Sequence, residues 1–194
     1  MNAILVTARL AFAPITRAHV DTLTDLDSDP EVMRYIDRKP TPRKAIVSQI
    51  EGVLDEYMRT PGFGQWLAIR REDRTFLGWF ALRLGDDPTH ATLGYRLRRS
   101  AWGQGYASEG GRALIDYGFR RFPLERITAD TMAVNERSRR VMTAIGMSFL
   151  RTYHEHFDDP LPGTELGEVE YQITRPSWLI RRGAPAPDTG PRIG

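Results

Sequence analysis

The chain has 194 residues, 41% of them hydrophobic, with a formal net charge of +2 and an isoelectric point near 9.1. This length suits one globular domain, and because no apolar run approaches the ~18 residues of a membrane span, we expect no such span. The absence of cysteine excludes disulfides, thiolate nucleophiles and cysteine metal ligands. The N-terminal segment lacks the pattern of a signal peptide, so we expect a cytoplasmic protein.

The first sixty residues predict one strand and three helices. The alternating segment Thr7–Ile15 is the strand. Thr16 suits the N-cap of the first helix, and Asp29–Ile36 is typical of a short second helix. Thr41 suits the N-cap of a longer third helix, with Pro42 at its first position.

The remainder predicts six further strands and two helices. The strands are expected at Gln65–Arg71, Thr75–Leu84, Ala91–Leu97, 125–132, Ser148–Phe157 and Gly167–Thr174. The helices cover "GGRALIDYGF" and "NERSRRVMTAIGM", and Gly146 should stop the second one. After Trp178 the composition is typical of disorder, so we expect one domain over 1–180 and a flexible tail over 181–194. The fold class is α+β.

Glycines concentrate in "WGQGYASEGGRAL", the step from a predicted strand into a predicted helix. A helix N-terminus presents unpaired N–H groups and partial positive charge, and Gly103 and Gly105 would let a phosphate approach them closely. The stretch is neither a P-loop nor a dinucleotide fingerprint, because its spacing matches neither. It predicts a pyrophosphate site, with a ligand-free tight turn as the alternative. We also expect three later glycines to let the helix lie close to the sheet: Gly110, Gly111 and Gly118.

The same stretch resembles motif A of the GNAT superfamily of acetyl-CoA-dependent N-acetyltransferases, Gln/Arg-x-x-Gly-x-Gly/Ala, which falls on Trp102–Ala107. Trp102 in place of Gln or Arg is similar to the branch of ribosomal-protein N-terminal acetyltransferases. Downstream, "NERSRRVMTAIGM" resembles that branch's Asn-x-x-Ser helix ending in Gly-Phe, with Met147 in place of the Phe. The resemblance implies a mixed, mostly antiparallel sheet of about seven strands, flanked by helices, with a V-shaped splay between the fourth and fifth strands.

The resemblance also implies that acetyl-CoA is the co-substrate, with its pantetheine arm in the splay and no metal. The backbone of Leu97, Arg98 and Arg99 would pair with the arm, and Asn135 would bind it near the thiol. Arg98 or Arg99 could also meet the 3′-phosphate of the adenosine. The pyrophosphate would bind the loop residues Gly103, Gln104, Gly105, Tyr106, Ala107 and Ser108.

Amine attack on a thioester needs a base, a donor for the oxyanion and a hydrogen bond for the departing thiolate. Many family members serve the thiolate with a Tyr placed where this chain has Met142, which cannot donate. The resemblance implies that Ser138 lies near the sulfur and acts in catalysis. The alternative is a serine that bonds the backbone of the first helical turn.

The base is sought in "RTYHEHF". On a strand, His154 and His156 would share one face, and His154, nearer the cleft, is the first catalytic candidate because His titrates near neutrality. Asp130 is the alternative base or a site for a cationic substrate, and Glu109 should pair near the helix start. An acidic C-terminal region suits a cationic substrate, with a solvated rim as the alternative: Asp158, Asp159, Glu165, Glu168 and Glu170.

The predicted function is direct transfer of an acetyl group from acetyl-CoA to a primary amine, on a small molecule or a protein N-terminus. A non-catalytic acyl-CoA-binding sensor is the alternative, which Met142 keeps open together with Thr92, where parts of the branch carry a Glu. An RNA-binding module is disfavoured because the arginines are scattered among acidic residues. We expect no nucleic-acid or membrane partner, and a homodimer is among the open alternatives for the oligomeric state.

Overall fold

The computed structural model describes residues 3–183, in which eight strands form one sheet with helices on both faces. The strands are β1 (Leu5–Val6), β2 (Leu10–Pro14), β3 (Gly64–Arg70), β4 (Phe76–Leu84), β5 (His90–Leu97), β6 (Arg126–Met132), β7 (Ser148–Tyr153) and β8 (Glu168–Thr174). They pair in the order β1-β2-β3-β4-β5-β6-β8-β7, with β5 and β6 parallel. The expected α+β class and mostly antiparallel sheet are confirmed.

The sheet has one strand more than the seven expected. The segment predicted as a single strand, Thr7–Ile15, contains a turn, and the short β1 folds back on β2 with Leu5 opposite Phe12. The Thr7 N–H donates to the Leu10 carbonyl at 2.8 Å, which closes this turn. β1 lies before the predicted segment and has only two residues, too few for hydrophobic alternation to indicate a strand.

Within residues 3–183, six α-helices flank the sheet: α1 (Val20–Ser28), α2 (Pro30–Met33), α3 (Arg43–Arg59), α4 (Tyr106–Arg121), α5 (Glu136–Ala144) and α6 (Arg175–Arg181). One apolar cluster joins α1 and α3 to β2 and β3 on one face. A larger cluster joins α4, α5 and α6 to the other face. We call these the α1 face and the α5 face.

Two predicted helix starts were displaced. Thr41 is not the N-cap of α3, because Pro42 takes that place and the Thr41 hydroxyl instead donates to buried Asp27 at 2.9 Å. A short 3-10 turn over Arg17–His19 follows Thr16 before α1 begins. The chain therefore uses Thr41 to satisfy a buried carboxylate, a tertiary contact that sequence spacing does not encode.

The C-terminal elements also differ from expectation. β7 ends at Tyr153, not Phe157, because its partner β8 starts at Glu168, the residue opposite Tyr153. The boundary predicted for the disordered tail, directly after Trp178, is too early. Helix α6 continues to Arg181, and Trp178 is buried. Residues 184–194 of the predicted tail lie outside the described residues. The domain limits at 1–180 therefore stay a prediction.

Helix α4 lies close to the sheet at its glycines, as expected. A Cβ on Gly110 would lie 2.4 Å from the Phe80 ring, and one on Gly118 would lie 3.0 Å from Leu82. Larger side chains would push α4 away from β4. Gly146, at φ +99, follows the end of α5 as predicted.

Candidate functional site

Strands β5 and β6 pair only at their beginnings. Their register runs from His90 opposite Arg126 to Thr92 opposite Thr128. Beyond Thr92, β5 continues beside β4, and β6 continues beside β8. The two strands therefore diverge into a wedge-shaped gap, which is the splay expected between the fourth and fifth predicted strands.

The β5 side of the gap is lined by peptide groups. The ladder between β4 and β5 is bounded by bonds from Gly85 N–H to His90 O, at 2.9 Å, and from Arg98 N–H to Leu77 O, at 2.8 Å. Hydrogen-bonded residues alternate along an antiparallel pair, so the even-numbered β5 residues turn their peptide groups toward β4. The intervening residues turn theirs toward the gap: Leu93, Tyr95 and Leu97.

The β6 side follows the same rule. Ala133 N–H donates to Gly167 O at 2.9 Å, which assigns the odd-numbered positions to the β8 ladder. Asp130 and Met132 therefore turn their peptide groups toward the gap. An extended ligand that carries amides can pair with both sides, as an added strand would.

At the end of β5, only some of the backbone groups that were expected to pair with the pantetheine arm are free to bind a ligand. The Leu97 N–H faces the gap, while its carbonyl accepts from the Trp102 indole at 2.9 Å. Arg98 donates its N–H to Leu77, and its carbonyl accepts from Ala101 N–H at 2.9 Å. These groups of Arg98 are already bonded within the protein. The residue next in line to Leu97 along the gap is Tyr95, which sequence reasoning missed.

The Arg98 side chain is also engaged. Its guanidinium lies 2.5 Å from the Asp25 carboxylate and 5.2 Å from the centre of the Phe76 ring. These contacts tie the end of β5 to α1. Arg99 is exposed beside it, and a contact with the 3′-phosphate stays a prediction.

The glycine loop forms the open end of the gap. Gly103 and Gly105 have φ +72 and +79, the left-handed region that favours glycine. Helix α4 begins at Tyr106, and its first bond runs from Glu109 N–H to Gly105 O at 2.9 Å. The N–H groups of Tyr106, Ala107 and Ser108 therefore have no acceptor within the helix. A Cβ on Gly103 would meet no atom of residues 3–183 within 4 Å, so the loop is open to an approaching ligand.

Arg9 holds this loop in place. Its Nε lies 2.6 Å from Glu109 Oε2, and its Nη1 donates to the Gln104 carbonyl at 2.9 Å. Its guanidinium also stacks 4.4 Å above the Tyr106 ring. Burial raises the pKa of Glu109, but hydrogen bonds from Thr7 and Arg9 outweigh it and lower the pKa overall. Glu109 thus pairs near the helix start, as expected.

A cation that sequence reasoning missed stands beside the loop. The Arg137 guanidinium, from the first turn of α5, lies 5.2 Å from the centre of the Trp102 ring. It bridges α5 and the glycine loop at the open end of the gap. Its place in the Asn-x-Arg-Ser stretch was the available signal. A phosphate at the loop would meet this positive charge as well as the free amides.

Asn135 and Ser138 lie at the start of α5. Asn135 is the N-cap: its Oδ1 accepts from Ser138 N–H at 3.2 Å, and its Nδ2 donates to Thr131 Oγ1 at 3.0 Å. The Ser138 hydroxyl lies 2.9 Å from the Tyr95 hydroxyl, so its side chain bonds across to β5 and not to its own helix. Met142 is buried in the core and offers no donor. Binding of a ligand by Asn135 stays a prediction.

Acidic side chains lie on the other face of the sheet at this gap, opposite the face that carries α5. His90 Nε2 lies 2.9 Å from Thr128 Oγ1, which places the even-numbered side chains of β5 and β6 on one side. Arg96, on this side, lies 2.6 Å from Asp27 of α1, so this is the α1 face. Asp130 and its neighbour on β8, Glu170, therefore face the α1 side of the gap.

The electrostatics of this acidic group favour proton uptake. Loss of water contact raises the pKa of Asp130, and the charges of Glu170 and Glu155 raise it further. Burial, followed by Asp130, raises the pKa of Glu168. The Tyr153 pKa is raised to about 12, chiefly by burial and then by Asp130. The Asp130 side chain is nevertheless exposed to solvent, and water screens its interactions with the neighbouring charges.

The structure does not place His154 and His156 on a strand. Both are exposed in the loop that follows β7, so the alternation that put them on one face does not apply. His156 lies 3.8 Å from Asp158. The same loop meets the segment after α2, where Arg38 lies 3.1 Å from Asp159 and also donates to the Pro160 carbonyl. A catalytic role for His154 stays a prediction.

Two further findings apply to the described part of the chain. Its helices include none long and apolar enough to cross a membrane. Residues 3–183 also contain no group of three or more His, Cys, Asp or Glu side chains that could hold a metal ion.

Several known proteins are similar to this chain in sequence. A family model described as "Acetyltransferase (GNAT) domain" matches residues 9–148. A relative from Aspergillus fumigatus, "FsC-acetyl coenzyme A-N(2)-transacetylase", is 34% identical over 182 residues, which is 89% of this chain and 77% of that protein. A Bacillus licheniformis protein described as the uncharacterized N-acetyltransferase p20 is 28% identical, covering 78% of this chain and 87% of its own length.

Solved structures show the same fold. The ribosomal alpha-N-protein acetyltransferase RimL, solved with coenzyme A, superposes with a TM-score of 0.75 at 19% identity, covering 89% of this chain and 98% of that one. This neighbour belongs to the branch that the two motifs resemble. The matching family model and the named relatives make the protein an enzyme, an N-acetyltransferase. The chain belongs to the GNAT family of acetyltransferases.

Proposed function

We propose that the protein transfers an acetyl group from acetyl-CoA to a primary amine by direct attack. The observation that carries this proposal is the gap between β5 and β6, lined by free peptide groups and ending at the glycine loop. The pantetheine arm carries two amides and suits the peptide groups of Tyr95 and Leu97. The pyrophosphate suits the amides of residues 103–108, with the Arg137 charge beside them.

In this proposal the two substrates approach the gap from opposite faces of the sheet. CoA enters from the α5 face, where Asn135 and Ser138 lie, and the amine approaches from the α1 face, where Asp130 lies. The amine nitrogen forms a bond to the thioester carbon, the carbon–sulfur bond breaks, and its electron pair goes to sulfur. Asp130 accepts the amine proton, directly or through water, and a free N–H of β5 stabilises the oxyanion.

Ser138 donates a hydrogen bond to the departing sulfur in this scheme. His154 is the rival base, since the loop that carries it follows β7 at the same end of the sheet. Asp130 is preferred because its strand borders the gap and because its surroundings raise its pKa toward the range that suits a general base.

We further propose that the acceptor is a cationic amine. Asp130 and Glu168 give the α1 side of the gap a negative charge that would attract it, while the Glu170 carboxylate is paired with Arg151 at 2.6 Å. The relative that shares 34% identity is named for transfer to an N(2) nitrogen, which supports an amine of this kind over a ribosomal-protein N-terminus. The RimL likeness at 19% identity supports the fold alone.

The test is release of free CoA thiol from acetyl-CoA in the presence of an amine panel. The panel should contain diamines, N2 amines of basic amino-acid derivatives, neutral amines and peptides that begin with serine. We expect turnover to be fastest with the acceptors that carry a second positive charge. CoA binding without turnover on any amine would favour the acyl-CoA sensor instead.

A further inference from the structure

The Ser138 hydroxyl is directed differently from others in the helices. Three helical hydroxyls, and that of Thr60 at the C-cap of α3, donate back to the carbonyl four residues earlier, as Ser and Thr commonly do. Their donor–acceptor distances range from 2.8 to 3.2 Å: Thr24 to Val20, Ser48 to Lys44, Thr60 to Glu56 and Thr143 to Arg139. Ser138 instead lies 2.9 Å from the Tyr95 hydroxyl on β5.

Tyr95 is held where it can direct this serine. Its ring centre lies 5.8 Å from that of Phe80, within the core, and its peptide groups face the gap. Burial raises the Tyr95 pKa to about 12, so the phenol keeps its hydrogen at neutral pH and can donate it. When Tyr95 donates to Ser138 Oγ, the hydrogen of the serine is free to point elsewhere.

The serine is fixed from the other side by its own helix cap. Its N–H donates to Asn135 Oδ1 at 3.2 Å, which sets the position of the first turn of α5. Asn135 thus fixes the position of the serine, and a Tyr95 hydroxyl that donates to Ser138 Oγ would set the direction of the serine's own hydrogen. The Tyr95–Ser138 pair spans from β5 to α5 on the face of the gap where we place CoA.

We propose that Tyr95 is a positioning residue for acetyl transfer, whose hydroxyl holds that of Ser138 so that the serine's hydrogen faces the departing sulfur of CoA. This inference rests on the proposed function. The carbon–nitrogen bond forms and the carbon–sulfur bond breaks as before. Tyr95 gives up no proton, since it only orients the donor, and the sulfur regains a proton from the base or from solvent.

The experiment compares Tyr95→Phe, Ser138→Ala and the double variant with a matched control, Tyr117→Phe. The control likewise removes one hydroxyl bond, from Tyr117 on α4 to the Gly62 carbonyl at 3.0 Å, without touching β5 or α5. The readouts are kcat, KM for acetyl-CoA, and the pKa of the bound CoA thiol, obtained from the pH dependence of CoA affinity.

We expect Tyr95→Phe and Ser138→Ala each to lower kcat about tenfold, the scale of one hydrogen bond to a charged group. Both should raise the pKa of the bound thiol and leave the KM for acetyl-CoA nearly unchanged. The double variant should match Ser138→Ala alone, because Tyr95 acts through the serine. Tyr117→Phe should change none of these quantities.

Several results would overturn the inference. One is a Tyr95→Phe enzyme that behaves like Tyr117→Phe, and another is a double variant in which the two losses multiply. Should Tyr95→Phe not fold, an unchanged kcat and thiol pKa in Ser138→Ala would suffice, because Tyr95 would then have nothing to orient. A wild-type protein that does not bind CoA would remove the proposed function and this inference together.

Discussion

Gly105 shows how a single backbone angle shapes the candidate site. Its φ of +79 lets the chain turn directly into α4, so that the first amides of the helix face outward. A side chain here is strained by the left-handed conformation, and its Cβ would also lie 3.4 Å from Nη2 of Arg9, the residue that holds the loop. Any substitution therefore combines two effects, which a suitable control must separate.

We expect Gly105→Val to weaken CoA binding by about two orders of magnitude or more, the cost of losing a few hydrogen bonds to a charged group. Titration calorimetry with CoA measures this. Gly183→Val is the control, because Gly183 has a similar φ of +75, with no atom of residues 3–183 within 4 Å of an added Cβ. A folded Gly105→Val protein with the CoA affinity of Gly183→Val would contradict the pyrophosphate site.

Asp130 should affect turnover and stability in opposite directions. Asp130→Asn should lower kcat about 10²-fold, the usual scale for a lost general base. Folding raises the Asp130 pKa, so above that pKa the ionised carboxylate is less favourable in the folded chain than in the unfolded chain. The amide should therefore slightly raise the free energy of unfolding at neutral pH, and this gain should disappear in acid.

The comparison variants for Asp130 are His154→Ala and His156→Ala, measured as kcat against pH with CoA affinity alongside. We expect both variants to turn over nearly as fast as wild type. We also expect the wild-type rate to rise with pH through a carboxylate pKa that lies above the usual range. A loss of about 10²-fold in His154→Ala, with Asp130→Asn unaffected, would assign the base to His154.

At the scale of elements, the start of α5 combines a helix cap with the site. We expect Asn135→Ala to raise the KM for acetyl-CoA and also to destabilise the protein by about 1 kcal/mol through loss of the cap. Thr174→Ala is the control, because the Thr174 side chain caps α6 in the same way, accepting from Ser177 N–H. It should lower stability alone. A CoA complex in which Asn135 points away from the cofactor would refute the ligand role.

The elements most easily predicted were those with a local signal. Helix α4 and its glycine loop follow from residues adjacent in sequence, and the end of α5 follows from Gly146. The end of β7 did not, because it depends on where β8 begins, fifteen residues beyond Tyr153. No Gly or Pro interrupts residues 154–157, and the local sequence carries no information about the partner strand.

The residues of the candidate site also fall into two groups, those that a local motif indicates and those that depend on contacts distant in sequence. The glycine loop and Ser138 were accessible from motifs, since each lies within one short segment. Tyr95 was missed because its role depends on contact with Ser138, across 43 positions of sequence. The contribution of Asp130 likewise depends on Glu170, which the sheet places beside it.

At the scale of the whole molecule, α6 closes the apolar cluster of the α5 face. Trp178 is buried there, and its indole donates to Asp116 of α4 at 2.6 Å. We expect truncation after Gly183 to preserve both melting temperature and turnover, because the remaining sequence, rich in Pro, Gly and Ala, has little apolar surface to bury. Loss of activity on this truncation, measured beside full-length protein, would show that these residues pack.

The central claim is that the gap between β5 and β6, with its glycine loop, binds acetyl-CoA. Residue-resolved amide hydrogen exchange by NMR, with and without CoA, tests it most directly. We expect CoA to slow exchange at Tyr95, Leu97 and the amides of 103–108. Arg98, whose N–H is already bonded to Leu77, should change little. Slowed exchange elsewhere, with these gap and loop amides unchanged, would contradict the account.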